Sequence, residues 1–115
     1  MSRRDDTVPL RQMLDHAREV TAMVGGRRRR DLDTDRMFQL ALTRLIEIIG
    51  EAANRVTVAG YERYPGIPWL KVIGARNRII HGYDVVDYNV VWDIATAEIP
   101  ALIAALERAL PGHVS

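Results

Sequence analysis

Apolar positions recur every three or four residues over most of the chain, which is the spacing of one face of an α-helix. In the first stretch this face stops at Val24, just before Gly25-Gly26, a pair suited to ending a helix. Asp6 or Thr7 can cap the helix at its start. The pattern therefore predicts a first helix between these boundaries. Its apolar positions are Leu10, Met13, Leu14, Ala17, Val20 and Val24.

A second and longer apolar stretch predicts a helix from about Asp35 to Thr57. Its apolar residues cover most of the helix circumference, so it is the central helix of the domain or part of a dimer interface. Glu47 and Glu51 stand one turn apart on the same side of this helix. Either they pair with Arg44 and Arg55 of their own helix, or Glu51 faces a buried cation on another helix.

The third predicted helix opens at Ile67-Pro68-Trp69, with proline in the first turn, where it is tolerated. It continues at helical spacing to about His81, and Gly82 is its natural stop. The segment from Val58 to Gly66 contains glycine and proline and is expected to be a connection.

A fourth helix is predicted from a cap at Asp84 or Asp87 to about Leu110. Pro100 interrupts its apolar pattern. Proline inside a helix removes a hydrogen bond and crowds the carbonyl four residues earlier. We expect a kink there, within one continuous bent helix.

The composition fits one compact domain, and we assign the whole chain, 1–115, to it, with an ordered core at about 8–110. The chain has 115 residues, of which 48% are hydrophobic and 27% charged. It has no cysteine, which excludes disulfides and thiolate metal sites. No window approaches the roughly 18 apolar residues of a membrane helix, and no signal peptide opens the chain. We therefore expect a cytoplasmic protein without membrane contact.

A formal net charge of +1 does not indicate wholesale capture of nucleic acid, so any basic surface must be local. The strongest local candidate is the run Arg27, Arg28, Arg29 and Arg30. Such a run is either a solvated loop between helices or a phosphate-binding arm that could contact RNA.

The most suggestive chemistry lies in the eight residues from Arg76 to Tyr83. Arginine is a fixed cation, and histidine titrates near physiological pH. On a regular helix Arg76 and His81 would be about 140° apart around the axis. They can meet only if the helix loosens after Ile80 or if the arginine side chain bends round.

Arg76 also falls in the apolar stripe of the third predicted helix, where a charge is costly unless it is paired. Glu51 or Glu47 is the expected partner. The alternatives are that Arg76 only anchors the third helix to the second or that it belongs to a reactive site. Arg78 points to the other side of the helix and is expected to be solvated or to contact the backbone.

Metal-free cleavage of RNA needs a base for the ribose 2′-hydroxyl, an acid for the leaving oxygen and a cation for the charge on phosphorus. His81 can be the base or the acid, Arg76 the cation and Asn77 an orienting group. One histidine cannot readily fill both proton-transfer roles, so a second copy from a partner subunit would help. The sequence shows no phosphate loop, no HExxH, no nucleophile elbow and no carboxylate cluster of metal spacing, and no metal or cofactor is expected.

In these residues the sequence resembles the HEPN superfamily, and more closely its HepT-like toxin branch. The signature Arg-x4-His-x-Tyr is matched by Arg76, His81 and Tyr83, and the common asparagine after the arginine by Asn77. Further family-like segments occur in order between about Leu10 and Leu110. They are Ile46–Ala52, Ile67-Pro68-Trp69, and Val90-Val91-Trp92 leading to Pro100.

The resemblance implies an all-α, antiparallel up-and-down bundle of four main helices that forms a homodimer and brings two motifs into one cleft. It further implies an endoribonuclease toxin that is silenced when a small nucleotidyltransferase antitoxin transfers AMP to Tyr83. The alternative for Tyr83 is that its ring only packs at the end of the apolar stripe. The competing functional hypothesis is a non-catalytic helical dimer that binds a nucleotidyltransferase or a nucleotide, with Arg76 serving structure alone.

Overall fold

The helices predicted from the apolar pattern form the frame of the protein. The computed structural model describes residues 5–82 and 85–110, so Tyr83 and the candidate cap Asp84 lie outside the described residues. The elements are α1 (Thr7–Val24), α2 (Asp31–Thr34), α3 (Arg36–Ala53), α4 (Val58–Arg63), α5 (Trp69–Ile73), α6 (Ala75–Ile79), β1 (Ile80–His81), β2 (Val85–Val86), α7 (Tyr88–Asp93), a π-helical turn (Ile94–Glu98) and α8 (Ile99–Ala109).

The core lies between the three longest helical segments, α1, α3 and α8, with α1 packed against both of the others. Each contributes side chains that are shielded from solvent, as their apolar spacing predicts. The prediction of an all-α, HEPN-like fold is confirmed, and the only sheet among the described residues is the pair β1 and β2. The largest buried side chains include Leu10, Met13, Leu14, Leu42, Ile46, Ile49, Ile79 and Leu106.

The second predicted helix ends earlier than expected, at Ala53, and a further helix, α4, begins at Val58 with Thr57 as its cap. The Thr57 hydroxyl accepts a hydrogen bond from Gly60 N–H and so caps α4. Asp6 accepts hydrogen bonds from the amide and the hydroxyl of Thr57. The prediction of an irregular connection between Val58 and Gly66 is therefore wrong over its first half.

The third predicted helix is divided. It forms α5 and α6 on either side of Gly74 and stops at Ile79, two residues before His81. Ile80 is extended, with φ −109° and ψ 120°, as suits a β-branched residue. The strands that follow pair antiparallel, Ile80 with Val86 and His81 with Val85.

The last helix passes through Pro100 without a break. Proline offers no N–H, and its ring crowds the carbonyl of residue 96. The helix widens just before it, where the Ile99 N–H reaches back five residues to the Ile94 carbonyl. The expected interruption therefore takes the form of a π turn inside one continuous helix.

By length and composition the helix Tyr88–Ala109 could cross a membrane. The expectation that no stretch approaches a membrane span was wrong in this respect. Core helices pass the same test, however, and Val91, Ile94, Leu102 and Leu106 of this helix are buried in the core.

Candidate active site

His81 lies in a short hairpin that places it beside Asp87. The helix ends at Ile79, whose carbonyl accepts a 2.7 Å hydrogen bond from the Asp87 N–H. His81 pairs with Val85 of the opposite strand, and Asp87 follows Val85 by two residues, so Asp87 lies on the same face of the hairpin as His81. His81 Nε2 is 3.3 Å from Asp87 Oδ2, and 60% of the histidine side chain is exposed. An accessible imidazole thus stands against a carboxylate.

Asp87 is a candidate functional residue that sequence reasoning missed, since it was considered only as a helix cap. It does cap α7, because Oδ1 accepts hydrogen bonds from Asn89 N–H at 3.1 Å and Val90 N–H at 3.2 Å. Its other oxygen is left for His81. A signal existed in the β-branched pairs around Gly82, which favour a hairpin in which positions 81 and 87 share a face.

Arg76 projects from α6 into solvent, with 70% of its side chain exposed, and its Nε lies 3.4 Å from Glu47 Oε2 on α3. The expectation that it points into the core is wrong. That expectation assumed one continuous helix through Arg76, but the helix is interrupted at Gly74, which changes the direction of the side chains that follow. Arg76 and Glu47 line an open concavity of about 190 Å³.

Glu51 does not contact Arg76. It pairs with Arg44 of its own helix at 2.8 Å, while Arg44 also lies 3.9 Å from Glu47. The hypothesis that Glu51 faces a buried cation on another helix is therefore wrong, and intrahelical pairing is observed instead. Of the two expected partners of Arg76, the structure selects Glu47.

Arg78, expected to be solvated or in contact with the backbone, is the motif arginine that ties the segment to the rest of the fold. Two of its nitrogens lie 2.8 Å from the two oxygens of Glu98 in the π turn, and it also donates to the Lys71 carbonyl at 3.1 Å. The hydrogen bonds from Arg78 hold the pKa of the Glu98 carboxyl below its ordinary value and raise the pKa of Arg78. The expected backbone contact is present, but the ion pair dominates.

The reactive candidates do not assemble within one protomer. Within residues 5–82 and 85–110 no hydrogen bond or ion pair joins Arg76 to His81, and Asn77 is exposed without either kind of partner. Tyr83 lies outside the described residues. A concavity of about 630 Å³ lies between the start of α1 and α4 and includes none of the motif residues.

Two of the four consecutive arginines are committed to the fold. Arg27 lies 2.7 Å from Asp35 and stacks over the Phe38 ring at 4.1 Å. Arg29 pairs with Asp33 at 3.0 Å and donates to the Asn89 side chain at 2.8 Å.

The other two arginines, Arg28 and Arg30, are exposed, and neither forms an ion pair in the described part of the chain. Asn89 lies in the first turn of α7, the helix that Asp87 caps. The hydrogen bond from Arg29 therefore places the arginine loop at the same end of the molecule as His81.

Comparison with known proteins gives a family match along nearly the whole chain. The model of a family described as "Ribonuclease HepT-like" matches residues 13–109. That range contains both Arg76 and His81. No solved structure matches the chain significantly.

Several curated proteins are also similar. "Putative RNase MJ1380" of Methanocaldococcus jannaschii is 31% identical over 107 residues, covering 93% of this chain and 98% of its own. "Putative RNase MJ1216" of the same organism is 30% identical over 94% of this chain and 89% of its own. "Probable ribonuclease HepT" of Thermococcus cleftensis is 35% identical over 68% of this chain and 71% of its own.

Proposed function

Because the chain belongs to the HepT-like ribonuclease family of the HEPN superfamily, we propose that it is a metal-independent endoribonuclease toxin. Its site is formed by Arg76 and His81 at the cleft of a homodimer. The observation that carries this proposal is the exposed imidazole of His81 beside the Asp87 carboxylate. A histidine held in this way can exchange protons with a substrate.

The proposed reaction is an internal displacement on RNA. One His81 removes the proton from a ribose 2′-hydroxyl, and the 2′-oxygen forms a bond to phosphorus as the bond from phosphorus to the 5′-oxygen breaks. A second His81, from the partner subunit, protonates the leaving oxygen. Arg76 is the cation for the charge that develops on the phosphoryl oxygens, and Asn77 orients the phosphate. The products are a 2′,3′-cyclic phosphate and a free 5′-hydroxyl.

The surface proposed to meet a partner subunit is the exposed side of α3. The exposed stripe of this helix begins with Met37, 82% exposed, and Leu40, 55% exposed. It continues to Arg44 one turn later and to the half-buried Ile48 two turns later, and it ends at Glu51 beside the Arg76 concavity. A second copy packed along this stripe would cover the apolar end and bring its own motif towards Arg76.

Of the four consecutive arginines, Arg28 and Arg30 are the ones proposed to bind RNA. Arg27 and Arg29 hold the loop through ion pairs, which leaves the two alternate side chains exposed at the His81 end of the molecule. Free guanidinium groups beside a cleavage site bind phosphate oxygens of the flanking strand.

Control by a partner enzyme completes the proposal. A nucleotidyltransferase antitoxin transfers AMP from ATP to Tyr83, so that the tyrosine oxygen bonds to the α-phosphorus and pyrophosphate leaves. The added anion, two positions after His81, blocks the cleft and competes for Arg76. Toxin and antitoxin act in the cytoplasm.

Cleavage of labelled RNA by purified variants tests the activity. Arg76→Ala and His81→Ala are each expected to reduce the rate by about 100-fold or more, since each removes a group used in the transition state. EDTA should leave the wild-type rate unchanged. Glu107→Gln, which removes an ion pair with Arg18 outside the motif, is the control. Wild-type rates in both motif variants would refute the catalytic proposal.

Coexpression with the nucleotidyltransferase is the second arm of that experiment. The intact mass should increase by one adenylyl group, and the modified protein should not cleave RNA. Tyr83→Phe should stay unmodified, whereas Tyr88→Phe should gain the group. An unchanged wild-type mass would remove the regulatory claim.

The non-catalytic alternative required Arg76 to be a structural anchor. Its side chain is 70% exposed and, among the described residues, forms an ion pair only with Glu47, at 3.4 Å, which disfavours that role. Arg76→Ala should therefore change the free energy of unfolding by less than about 1 kcal/mol, so a loss of cleavage would not reflect unfolding.

A further inference from the structure

We propose that Asp87 is a positioning residue that holds the neutral imidazole of His81 with its proton on Nε2, so that Nδ1 is the nitrogen that exchanges protons with RNA. The part that concerns RNA rests on the proposed function. The tautomer itself does not.

The Asp87 carboxylate has a fixed orientation. Its backbone N–H is bonded to the Ile79 carbonyl at 2.7 Å, which fixes the main chain. Its Oδ1 accepts hydrogen bonds from two backbone amides, those of Asn89 and Val90. Oδ1 cannot leave without exposing two amide donors at the start of α7, so Oδ2 has to face His81.

Arg29 supports the same end of α7 from outside, because its Nε donates to Asn89 Oδ1 at 2.8 Å. The first turn of α7 is thus held in two ways: the Asp87 side chain caps it, and Arg29 of the arginine loop donates a hydrogen bond to Asn89. This arrangement keeps the carboxylate still while the histidine changes its protonation state.

The proximity of Oδ2 decides the tautomer. It lies 3.3 Å from His81 Nε2. If Nε2 carried no proton, its lone pair would face a charged oxygen and the two would repel each other; a proton on Nε2 turns this contact into an attraction. In the described part of the chain no hydrogen bond or ion pair engages Nδ1, which leaves that nitrogen available to a substrate.

The substitution Asp87→Asn separates capping from positioning. Asparagine is as good a helix cap as aspartate. Because the two backbone amides need the side-chain oxygen, the amide NH₂ group must turn towards His81. A donor facing Nε2 favours a bare Nε2, so the proton should move to Nδ1.

Long-range proton–nitrogen NMR spectra of the ¹⁵N-labelled full chain report the tautomer directly. The chain has three histidines, and the signals of His81 are identified by their absence in His81→Gln. We expect the Nε2–H pattern in the wild type and the Nδ1–H pattern in Asp87→Asn. A wild-type Nδ1–H pattern, or the same pattern in both proteins, would overturn the proposal.

Cleavage kinetics provide the second readout. Asp87→Asn should lower kcat about 10- to 100-fold and change KM by less than about 2-fold, because binding groups remain while the reactive nitrogen is blocked. Glu107→Gln is the matched control, because it also exchanges a carboxylate for an amide and removes an ion pair, the one with Arg18, outside the motif and the arginine loop.

The control should leave both the His81 spectrum and kcat unchanged. An unchanged kcat in Asp87→Asn would overturn the positioning role, as would an equal loss in Glu107→Gln. If the wild type cleaves no RNA, the proposed function fails, while the spectra still decide the tautomer.

Discussion

Arg78 and Glu98 form the ion pair that fastens the motif segment to the last helix. Both side chains are about one-third exposed, and both carboxylate oxygens are engaged at 2.8 Å. Arg44 and Glu51 form a pair of the same length in which both side chains are more than half exposed. Solvent weakens an ion pair as its exposure grows, so the first pair should contribute more to stability.

Glu98→Gln should lower the free energy of unfolding by about 1–2 kcal/mol at neutral pH, and Glu51→Gln by less than about 0.5 kcal/mol. Because the folded-state pKa of Glu98 lies below its unfolded value, its contribution is present above the unfolded pKa and is lost as pH falls through the folded one. The difference between wild type and Glu98→Gln should therefore shrink below about pH 4. Denaturant unfolding at pH 7 and pH 3 measures it, and a pH-independent difference would contradict this assignment.

Spacing suggested that Arg76 is covered and paired and that Arg78 is solvated. In the structure Arg76 is exposed, and Arg78 forms the ion pair with Glu98. Residue types and their separation in the sequence were enough to single out Arg76, Asn77 and His81 as candidates. Which arginine is covered depends on the phase of the helix, and that phase is interrupted at Gly74. Asp87 could not be found as the partner of His81 from helical spacing, because the contact requires an extended hairpin.

At the scale of elements, α5 approaches α3 closely at one residue, Gly50. A β-carbon added there would lie 3.0 Å from the Val72 carbonyl oxygen. This approach sets the distance between α3, which carries Glu47, and the segment that leads to Arg76. Glycine is unfavourable inside a helix, yet Gly50 lies within an unbroken α3.

Gly50→Ala should destabilise the protein by about 1–2 kcal/mol, although alanine favours helix by about 1 kcal/mol, since the added methyl group pushes α5 away from α3. Gly66→Ala is the control. Its β-carbon would meet nothing within 4 Å, and its φ is not positive, so the change should be within about 0.5 kcal/mol. Thermal unfolding of both variants checks this. Equal stability of the two would show that the close approach has no energetic cost.

The long elements were predictable because their apolar stripes are long. The helix from Thr7 to Val24 was predicted almost to the residue, and the last helix was correctly expected to be continuous. The short elements were missed for an equally physical reason. The helix Val58–Arg63 depends on contacts with a distant part of the chain, the hydrogen bonds of Thr57 to Asp6, which leave no periodic signal. The strands of the hairpin have two residues each, which is too short for a periodic signal.

At the scale of the whole molecule, one protomer supplies one motif imidazole, His81, which contacts Asp87, and one motif arginine, Arg76, which contacts Glu47. Cleavage needs both a base and an acid, so the proposed site requires two copies of His81. A C2 dimer would provide them, because both subunits would then use the same surface. Sequence alone could suggest this requirement, but the geometry of the assembled cleft depends on a second chain.

Mixing wild-type protein with His81→Ala tests whether sites are shared. If both histidines are needed, only dimers of two wild-type chains are active. Equal mixing followed by subunit exchange should then leave about one quarter of the original activity of the undiluted wild type. A mixture without subunit exchange should keep about one half. One half in both cases would show that each protomer cleaves independently.

The two contacts of the site differ in how far along the chain their members lie. His81 and Asp87 are separated by six positions, whereas Arg76 and Glu47 are separated by 29. Contacts between near neighbours close small loops and can form in an incomplete chain, while distant ones wait for the surrounding helices. When the complete chain folds, we therefore expect the contact between His81 and Asp87 to form before the contact between Arg76 and Glu47. If the proposed function holds, cleavage activity would then appear only after α3 and α6 have packed together and placed the arginine.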